Sequence, residues 1–287
     1  MKGALREALA RAPTEAGAYV AAGKEALARA PRDPLAHALL RTARCLDPKL
    51  PGLEALIRAA AGALPPLLRL DPNTYARHRA LARELARMAE GRPASIVDVG
   101  GGRGTLARFV AEHDEYFLAE PSVNGVPGQA IPLADRSMDF AASCHVLEHV
   151  MPEQRAAFLD SMARVARRAF VVLVPVEIGG AARVADRLQL FIDLTDAKWA
   201  KEHLACSHPT LDSLRRYADE RGFELAARPV GNSCAGSALA LMHHYAALSG
   251  RTADLARINH FFNTHYGQGM DTAVESDQYV FTFTPRS

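Results

Sequence analysis

The sequence predicts an α/β fold: a largely parallel sheet with helices on both faces, preceded by an all-helical segment. Three observations carry that reading. From Ala94 onward, short β-branched runs alternate with amphipathic stretches, the pattern of strands joined by helical crossovers. The run "AFVVLVPV" at 169–176 is apolar throughout, as a strand covered on both faces requires. Residues 1–91 are instead rich in Ala, Leu and Arg, and are punctuated by Pro13, Pro31, Pro34, Pro48, Pro51, Pro65 and Pro66. They read as short helices broken at proline and as an accessory domain, for substrate or for homodimerisation, before a second domain at 92–287.

Within the first segment "EALARAP" occurs at 7–13 and again at 25–31. A degenerate helical repeat would do this, but an Ala/Arg-rich composition repeats such words by chance, and that reading is preferred. "PNTYARHRALARELARMAEG" (72–91) is a clearer amphipathic helix, with Leu81, Leu85 and Met88 on one stripe and Gly91 then Pro93 as its stop. "SIVDV" (95–99) reads as a strand, and "TLARFVAEH" (105–113) as a helix from Leu106, Phe109 and Val110. "EYFLAEPS" is a strand ending at Glu120 and Pro121, and "SMDFAASCH" is another. A helix "PEQRAAFLDSMARVARR" leads into "AFVVLVPVE". "PTLDSLRRYADERG" is a helix closed by Gly222. "FELAARPV" and "DQYVFTFTP" complete the strands.

Two stretches, 178–208 and 231–276, lie outside a minimal sheet. The second carries helices near 235–248 and 252–265 and is long for a connection. It holds His243, His244, Tyr245, His260, Phe261, Phe262, His265 and Tyr266. That lining suits a lid over a pocket. It equally suits a helical pair whose core these residues form, on the sheet or in a homodimer interface. His260 and His265 are five apart, so they do not share a helix face and are not read as a ligand pair.

Composition narrows the function classes. The 287 residues are 49% hydrophobic and 23% charged, with a net charge of +2, ordinary for a globular chain and too weakly basic to argue for nucleic acid. Cys45, Cys144, Cys206 and Cys234 form no CxxC pair, so reduced thiols are expected rather than a zinc knuckle or disulfide framework. "MKGALREALARA" places charges where a secretory signal needs an apolar core. The apolar runs are too short to span a bilayer. A cytoplasmic location without membrane contact is the expectation.

The chemistry centres on "SIVDVGGGRGTLARF" (95–109), with Gly100, Gly101, Gly102 and Gly104. A strand, glycines and then a helix present backbone N–H groups to a ligand. Gly102-x-Gly104-x-x-Ala107 meets the loose dinucleotide pattern, which alone is weak. Asp98 precedes the glycines, and Glu120 ends the next strand, where a carboxylate accepts the ribose hydroxyls common to NAD and S-adenosylmethionine.

With "AEPS", "AIPLADRSMDF" (130–140) and "HVLEHV" (145–150) in this order, the chain resembles the class I S-adenosylmethionine-dependent methyltransferases, in the branch that reads "LPF.D.SFD" and "LEHV". "KEHLACSHPTLDSLRRYADERGFEL" (201–225) extends the resemblance, which covers roughly 94–230 and the last strand. It implies a Rossmann-like seven-stranded sheet with an antiparallel last strand. The Asp98–Gly104 loop would hold the methionine part of S-adenosylmethionine, and Glu120 with Pro121 the ribose. The Gly128–Gln129 turn would lie along the adenine, and Ser143, Cys144 and His145 would border the sulfonium and substrate. The family usually has an acid where Pro127 stands, which puts the adenine contact in question.

Methyl transfer from a sulfonium needs an aligned nucleophile and, for a hydroxyl or a protonated nitrogen, a base. His149 is the first candidate for that base, with His145, His203 and His208 of second rank. Tying a loop down is the competing role for Glu148 and His149. No metal is expected, Glu148 and His149 being the minor alternative, and H-x-x-C-x-H at 203–208 is weak evidence for one. The substrate expected is a small molecule, sugar- or natural-product-like, methylated on O or N. An RNA or protein methyltransferase docking through residues 1–91, a non-catalytic scaffold and an NAD-binding Rossmann protein are the alternatives.

Overall fold

In the computed structural model, residues 3–265 and 276–286 are described; Tyr266 and the rest of 266–275 lie outside the described residues. The helical start is α1 (Gly3–Arg11), α2 (Ala16–Arg29), α3 (Leu35–Leu46) and α4 (Leu53–Ala63), then α5 (Pro72–Ala89). There follow β1 (Ser95–Val99), β2 (Glu115–Ala119), a one-turn α6 (Pro121–Asn124), β3 (Met138–Cys144), α7 (Arg155–Val165) and β4 (Ala166–Pro175). The remainder is α8 (Ala181–Thr195), α9 (Lys198–Cys206), α10 (Leu211–Arg221), β5 (Phe223–Val230), α11 (Ser233–Leu248), α12 (Thr252–His265) and β6 (Gln278–Pro285).

The sheet among the described residues has six strands in the order β2-β1-β3-β4-β6-β5. β1 pairs in parallel with β2 and β3, and β5 pairs antiparallel with β6 from Phe223 opposite Pro285 to Val230 opposite Gln278. The antiparallel last strand agrees with expectation; a seventh strand is not among those described. The segment between α6 and β3 shows why it forms none. Pro127 and Pro132 carry no N–H. The backbone between them is satisfied by α7 side chains: Ile131 N–H donates to Ser161 Oγ at 3.2 Å, and Arg164 donates to Ile131 O at 2.5 Å and Leu133 O at 2.8 Å.

The chain divides into two units. One holds residues 1–65, 82–144 and 157–171, the other 66–81, 145–156 and 172–287. This differs from the division at 91 read from composition, because the early helices belong with β1–β3. In the first unit, α3 is buried from Leu35 through Ala43, packed between α2 and β2. Gly23 of α2 lets Leu40 approach so closely that an added Cβ would stand 2.7 Å from Leu40 Cγ. Thr42 Oγ1 accepts the Leu118 N–H at 3.0 Å. Strand β2 is at the end of the sheet, so α3 covers an edge that would otherwise offer free N–H groups.

The expected helix at 105–113 is absent. Only Thr105–Arg108 make a 3₁₀ turn. The cause is Arg41, which is 1% exposed. Its guanidinium donates to the carbonyls of Ala107 at 2.6 Å, Val110 at 3.4 Å, Ala111 at 2.7 Å and Asp114 at 2.9 Å. The Asp114 carboxylate accepts from Ala94 N–H and Ala111 N–H, both at 3.1 Å. Side chains thus take backbone groups that an α-helix would pair internally.

In the second unit, α8, α9 and α11 share a small core of Val184, Leu188, Phe191 and Ala200, with Ala240 and Leu241 packed on it. α12 grips the stretch before α5. Asn263 Nδ2 donates to the carbonyls of Leu68 and Leu70 at 3.0 and 2.9 Å, and Asn259 Nδ2 donates to Arg69 O at 3.2 Å. The residues read either as a lid or as the core of a helical pair split. His243 meets Asn259 and Asp71 and Phe262 packs beside Ala76 and Leu239, whereas Tyr245, His260 and Phe261 are exposed. No helix among the described residues is long and apolar enough to cross a membrane.

Candidate functional site

The expected ligand-binding residues of the first unit gather at the ends of β1, β2 and β3. Gly100 N–H donates to Ala119 O at 2.7 Å, which folds the glycine loop toward the end of β2. Gly104 is at φ +73°, and a Cβ there would stand 2.1 Å from Ala38 Cβ of α3. A Cβ at Gly101 would stand 2.3 Å from Asp98 Oδ2. These two glycines are required by the protein's own packing. Gly102, at φ +55°, is different, because a Cβ there meets nothing within 4 Å. Its bare backbone faces open space. No α-helix follows the loop, so a helix N-terminus contributes nothing here.

Glu120 ties the loop to the next element. Its Oε2 accepts the Gly102 N–H at 3.0 Å, and its Oε1 accepts from Ser122 N–H at 2.9 Å and Ser122 Oγ at 2.6 Å. Glu120 thereby caps α6, with Pro121 as its first residue, and its Oε2, which accepts one bond, can accept another. The Gly128–Gln129 turn is present. Gly128 is packed so that a Cβ would stand 2.3 Å from Phe158 Cε2, and Gln129 is exposed. Ser143 is fully buried and its hydroxyl has no hydrogen-bond partner among the described residues. Cys144, half-buried, ends β3.

Asp98 is 1% exposed. Its Oδ2 accepts the Tyr116 hydroxyl at 2.6 Å, while Oδ1 has no partner among the described residues. Burial pushes its carboxyl up to about 7; the Tyr116 hydrogen bond opposes this and the Glu120 charge adds to it. A raised carboxyl favours the folded state below the unfolded pKa near 4 and loses that contribution as pH rises through about 7. Unfolding in urea at pH 5 and pH 8 should differ by about 2–3 kcal/mol more in the native protein than in Asp98→Asn. Equal pH dependence in both proteins would assign the effect elsewhere. The unpartnered Asp98 Oδ1, the open face at Gly102 and the spare acceptor capacity of Glu120 fit a ligand with an ammonium group and sugar hydroxyls.

Sequence reasoning missed Arg41, Ala38 and Tyr116, which shape this loop. Arg41 stands in an Ala-, Leu- and Arg-rich stretch that names no single arginine. Its only sequence signal was the apolar run around it.

In the second unit, the structure brings all four histidine candidates together. His145 takes φ +56°, a left-handed conformation that costs a non-glycine residue about 1–2 kcal/mol. It is held there by its N–H to Leu173 O at 2.8 Å and by Nε2 to Gln278 Oε1 at 3.1 Å. Its Nδ1 lies 3.1 Å from Glu148 Oε1. His149 Nδ1 lies 3.1 Å from Glu202 Oε2, and its Nε2 lies 3.1 Å from His203 Nε2. His203 Nδ1 is 3.2 Å from His208 Nε2.

Glu148 is fully buried. Burial pushes its carboxyl up, but His145 and then His203 pull it below the ordinary value. Burial drives His203 down to about 3, against the pull of Glu148, and lowers His208 as well. Arg155, another residue the sequence did not flag, fixes the turn that carries Glu148 and His149. It donates to Leu147 O and Val150 O at 3.3 and 3.1 Å, and to Cys206 O and Ser207 O at 2.8 and 2.7 Å. Cys206 turns aside, its Sγ 3.5 Å from His149 O.

Comparison with known proteins completes the picture. No curated protein matches the sequence. Among solved structures, the chain is similar to Haemonchus contortus phosphoethanolamine N-methyltransferase 2, solved with phosphomonomethylethanolamine and S-adenosylhomocysteine. Identity there is 12%, with a TM-score of 0.46, over 73% of this chain and 52% of that one. It is also similar to Burkholderia thailandensis 1,6-didemethyltoxoflavin-N1-methyltransferase, at 13% identity and a TM-score of 0.44, over 74% of this chain and 79% of that one. The YcgJ protein of Bacillus subtilis is 12% identical with a TM-score of 0.41, over 73% of this chain and all of its own. The family model described as a methyltransferase domain matches residues 74–227, more than half of the 287 residues. The chain belongs to that methyltransferase family and is an S-adenosylmethionine-dependent enzyme.

Proposed function

We propose that this enzyme methylates a hydroxyl or amine of a small molecule, sugar- or natural-product-like, with the Glu148–His149–His203 cluster receiving the proton that the nucleophile gives up. The donor falls to the first unit: the Asp98–Gly104 loop for the methionine part, Glu120 for the ribose, the Gly128–Gln129 turn for the adenine, and Ser143 with Cys144 toward the sulfonium. The resemblance supports these assignments, and so do the unpartnered Asp98 Oδ1 and the open face at Gly102. In the reaction the S–CH₃ bond breaks as the O–CH₃ or N–CH₃ bond forms. The sulfonium becomes the thioether of S-adenosylhomocysteine, and the nucleophile's proton departs.

The observation that carries the proton-acceptor role is the Glu202–His149 pair. A carboxylate on Nδ1 leaves Nε2 as the basic nitrogen. The weak net charge of +2 supports a small acceptor over a polyanion.

His149→Ala should slow methyl transfer by about 10²–10⁴-fold, the range of general-base catalysis, while S-adenosylmethionine affinity is retained. Labelled-methyl transfer to a panel of sugar and aromatic hydroxyls and amines, with calorimetry for the cofactor, measures both. Unchanged turnover would remove the cluster from the chemistry.

A further inference from the structure

We propose that Glu148, His149 and His203 bind one divalent first-row transition-metal ion, through a carboxylate oxygen and two imidazole Nε2 atoms. An open position on the ion then takes the acceptor's oxygen or nitrogen. That second part rests on the function proposed above; the ion site does not.

The three ligand atoms converge. His149 Nε2 and His203 Nε2 are 3.1 Å apart, Glu148 Oε1 is 3.8 Å from His203 Nε2, and all three atoms lie within 4.8 Å of one another. Tetrahedral bonds of about 2.0–2.1 Å place neighbouring ligand atoms roughly 3.3 Å apart, so little movement is needed. The outer nitrogens are already held, with His149 Nδ1 on Glu202 and His203 Nδ1 on His208 Nε2. The Glu202 carboxylate fixes the His149 tautomer and aims its Nε2 at a metal, while His203 can offer Nε2 by donating Nδ1–H to His208.

The proton budget of the cluster favours a cation over a relay of imidazoles. If His203 Nε2–H donates to His149, and His208 to His203, the three rings are joined. Glu148 is then left with neither carboxylate oxygen in hydrogen-bond geometry with a donor, although fully buried. His145 Nδ1 is near enough for an ion pair at 3.1 Å but off the hydrogen-bond direction. A fully buried carboxylate with an imidazole beside only one of its oxygens, among the described residues, keeps acceptor capacity that burial makes costly to leave unused. A divalent ion between the three atoms satisfies Glu148 and uses both imidazoles in the neutral form that ligation requires. Two nitrogens and one oxygen, with Cys206 Sγ turned to His149 O, select Zn²⁺, Fe²⁺, Mn²⁺ or Co²⁺ over soft ions. Three protein ligands leave a position where an ion polarises a bound hydroxyl or amine. In that state His149 would serve as a ligand rather than as the base; the ion would lower the pKa of the bound hydroxyl or amine, and its proton would pass to solvent water.

The full chain, stripped with EDTA, is titrated with Zn²⁺ by calorimetry and with Co²⁺ by visible absorption. One equivalent should bind, with a Co²⁺ band typical of nitrogen and oxygen ligands. Glu148→Gln and His203→Gln should each weaken binding by more than about 100-fold, beyond the loss seen for supporting residues, and Cys206→Ser should leave it unchanged. His149→Gln, at a more exposed position, serves as a third ligand variant should either buried one fail to fold. Absence of saturable binding, or binding that survives every ligand substitution, overturns the site. Saturable binding with methyl transfer indifferent to EDTA overturns the acceptor's place on the ion. Since the Co²⁺ spectrum needs no acceptor, failure of the proposed function would not disturb it.

Discussion

Arg41→Met is expected to lower the free energy of unfolding by about 3–4 kcal/mol, because it strips charged donors from four carbonyls, three of them in buried hydrogen bonds. The side chain is 1% exposed and donates to four carbonyls of the segment between the glycine loop and β2. It also lies over the Tyr116 ring, 5.6 Å from the centroid. Burial pulls its guanidinium down to about 10, so it stays charged at neutral pH and its bonds are charge-assisted. Methionine has similar reach but no donors. Urea unfolding of this variant, beside an exposed control such as Arg58→Met that should change by less than about 0.5 kcal/mol, measures the effect. A loss below about 1 kcal/mol would show that the 107–114 segment holds its shape without α3.

Gly102→Val should reduce S-adenosylmethionine affinity by more than about 100-fold, a loss of roughly 3 kcal/mol of binding, while costing only about 1–2 kcal/mol of stability from the left-handed backbone. The reasoning is steric and specific to the ligand. A Cβ at Gly102 meets no protein atom within 4 Å, so what it obstructs is whatever approaches the loop from outside. Gly104→Ala makes the contrast. Its Cβ would overlap Ala38 Cβ at 2.1 Å, so it should damage the fold first, and Ala38→Gly in the same chain should recover part of that loss. Calorimetry with S-adenosylmethionine and thermal unfolding on the three variants separate the two mechanisms. Retained affinity in a folded Gly102→Val protein would place the donor away from this loop.

The strands were legible because their signal is local. "SIVDV" and "FELAARPV" coincide with β1 and β5, and Gly222 stops α10 at φ +72°. The spacing of Leu106, Phe109 and Val110 reads as a helix at 105–113, but Arg41, which donates to the carbonyls of Ala107, Val110, Ala111 and Asp114, lies on α3. For the candidate site, the glycines, Asp98, Glu120 and the histidines could be named from spacing. What each glycine is for could not, since Gly101 and Gly104 answer to Asp98 and Ala38, and only Gly102 is open.

By itself the sequence determined the alternation of strands and helices and, through the order of its motifs, the methyltransferase family. Each of these rests on residues close together in the chain, where periodicity, turn chemistry and motif order act directly. Only the tertiary structure decided that α3 closes the edge of β2, that Arg41 unwinds the segment after the glycines, and that His145, His149, His203 and His208 surround one buried Glu148. Those depend on burial and on contacts between distant residues, as when His149 meets His203. Whether a polar group is solvated, paired or left needing a ligand is settled by packing.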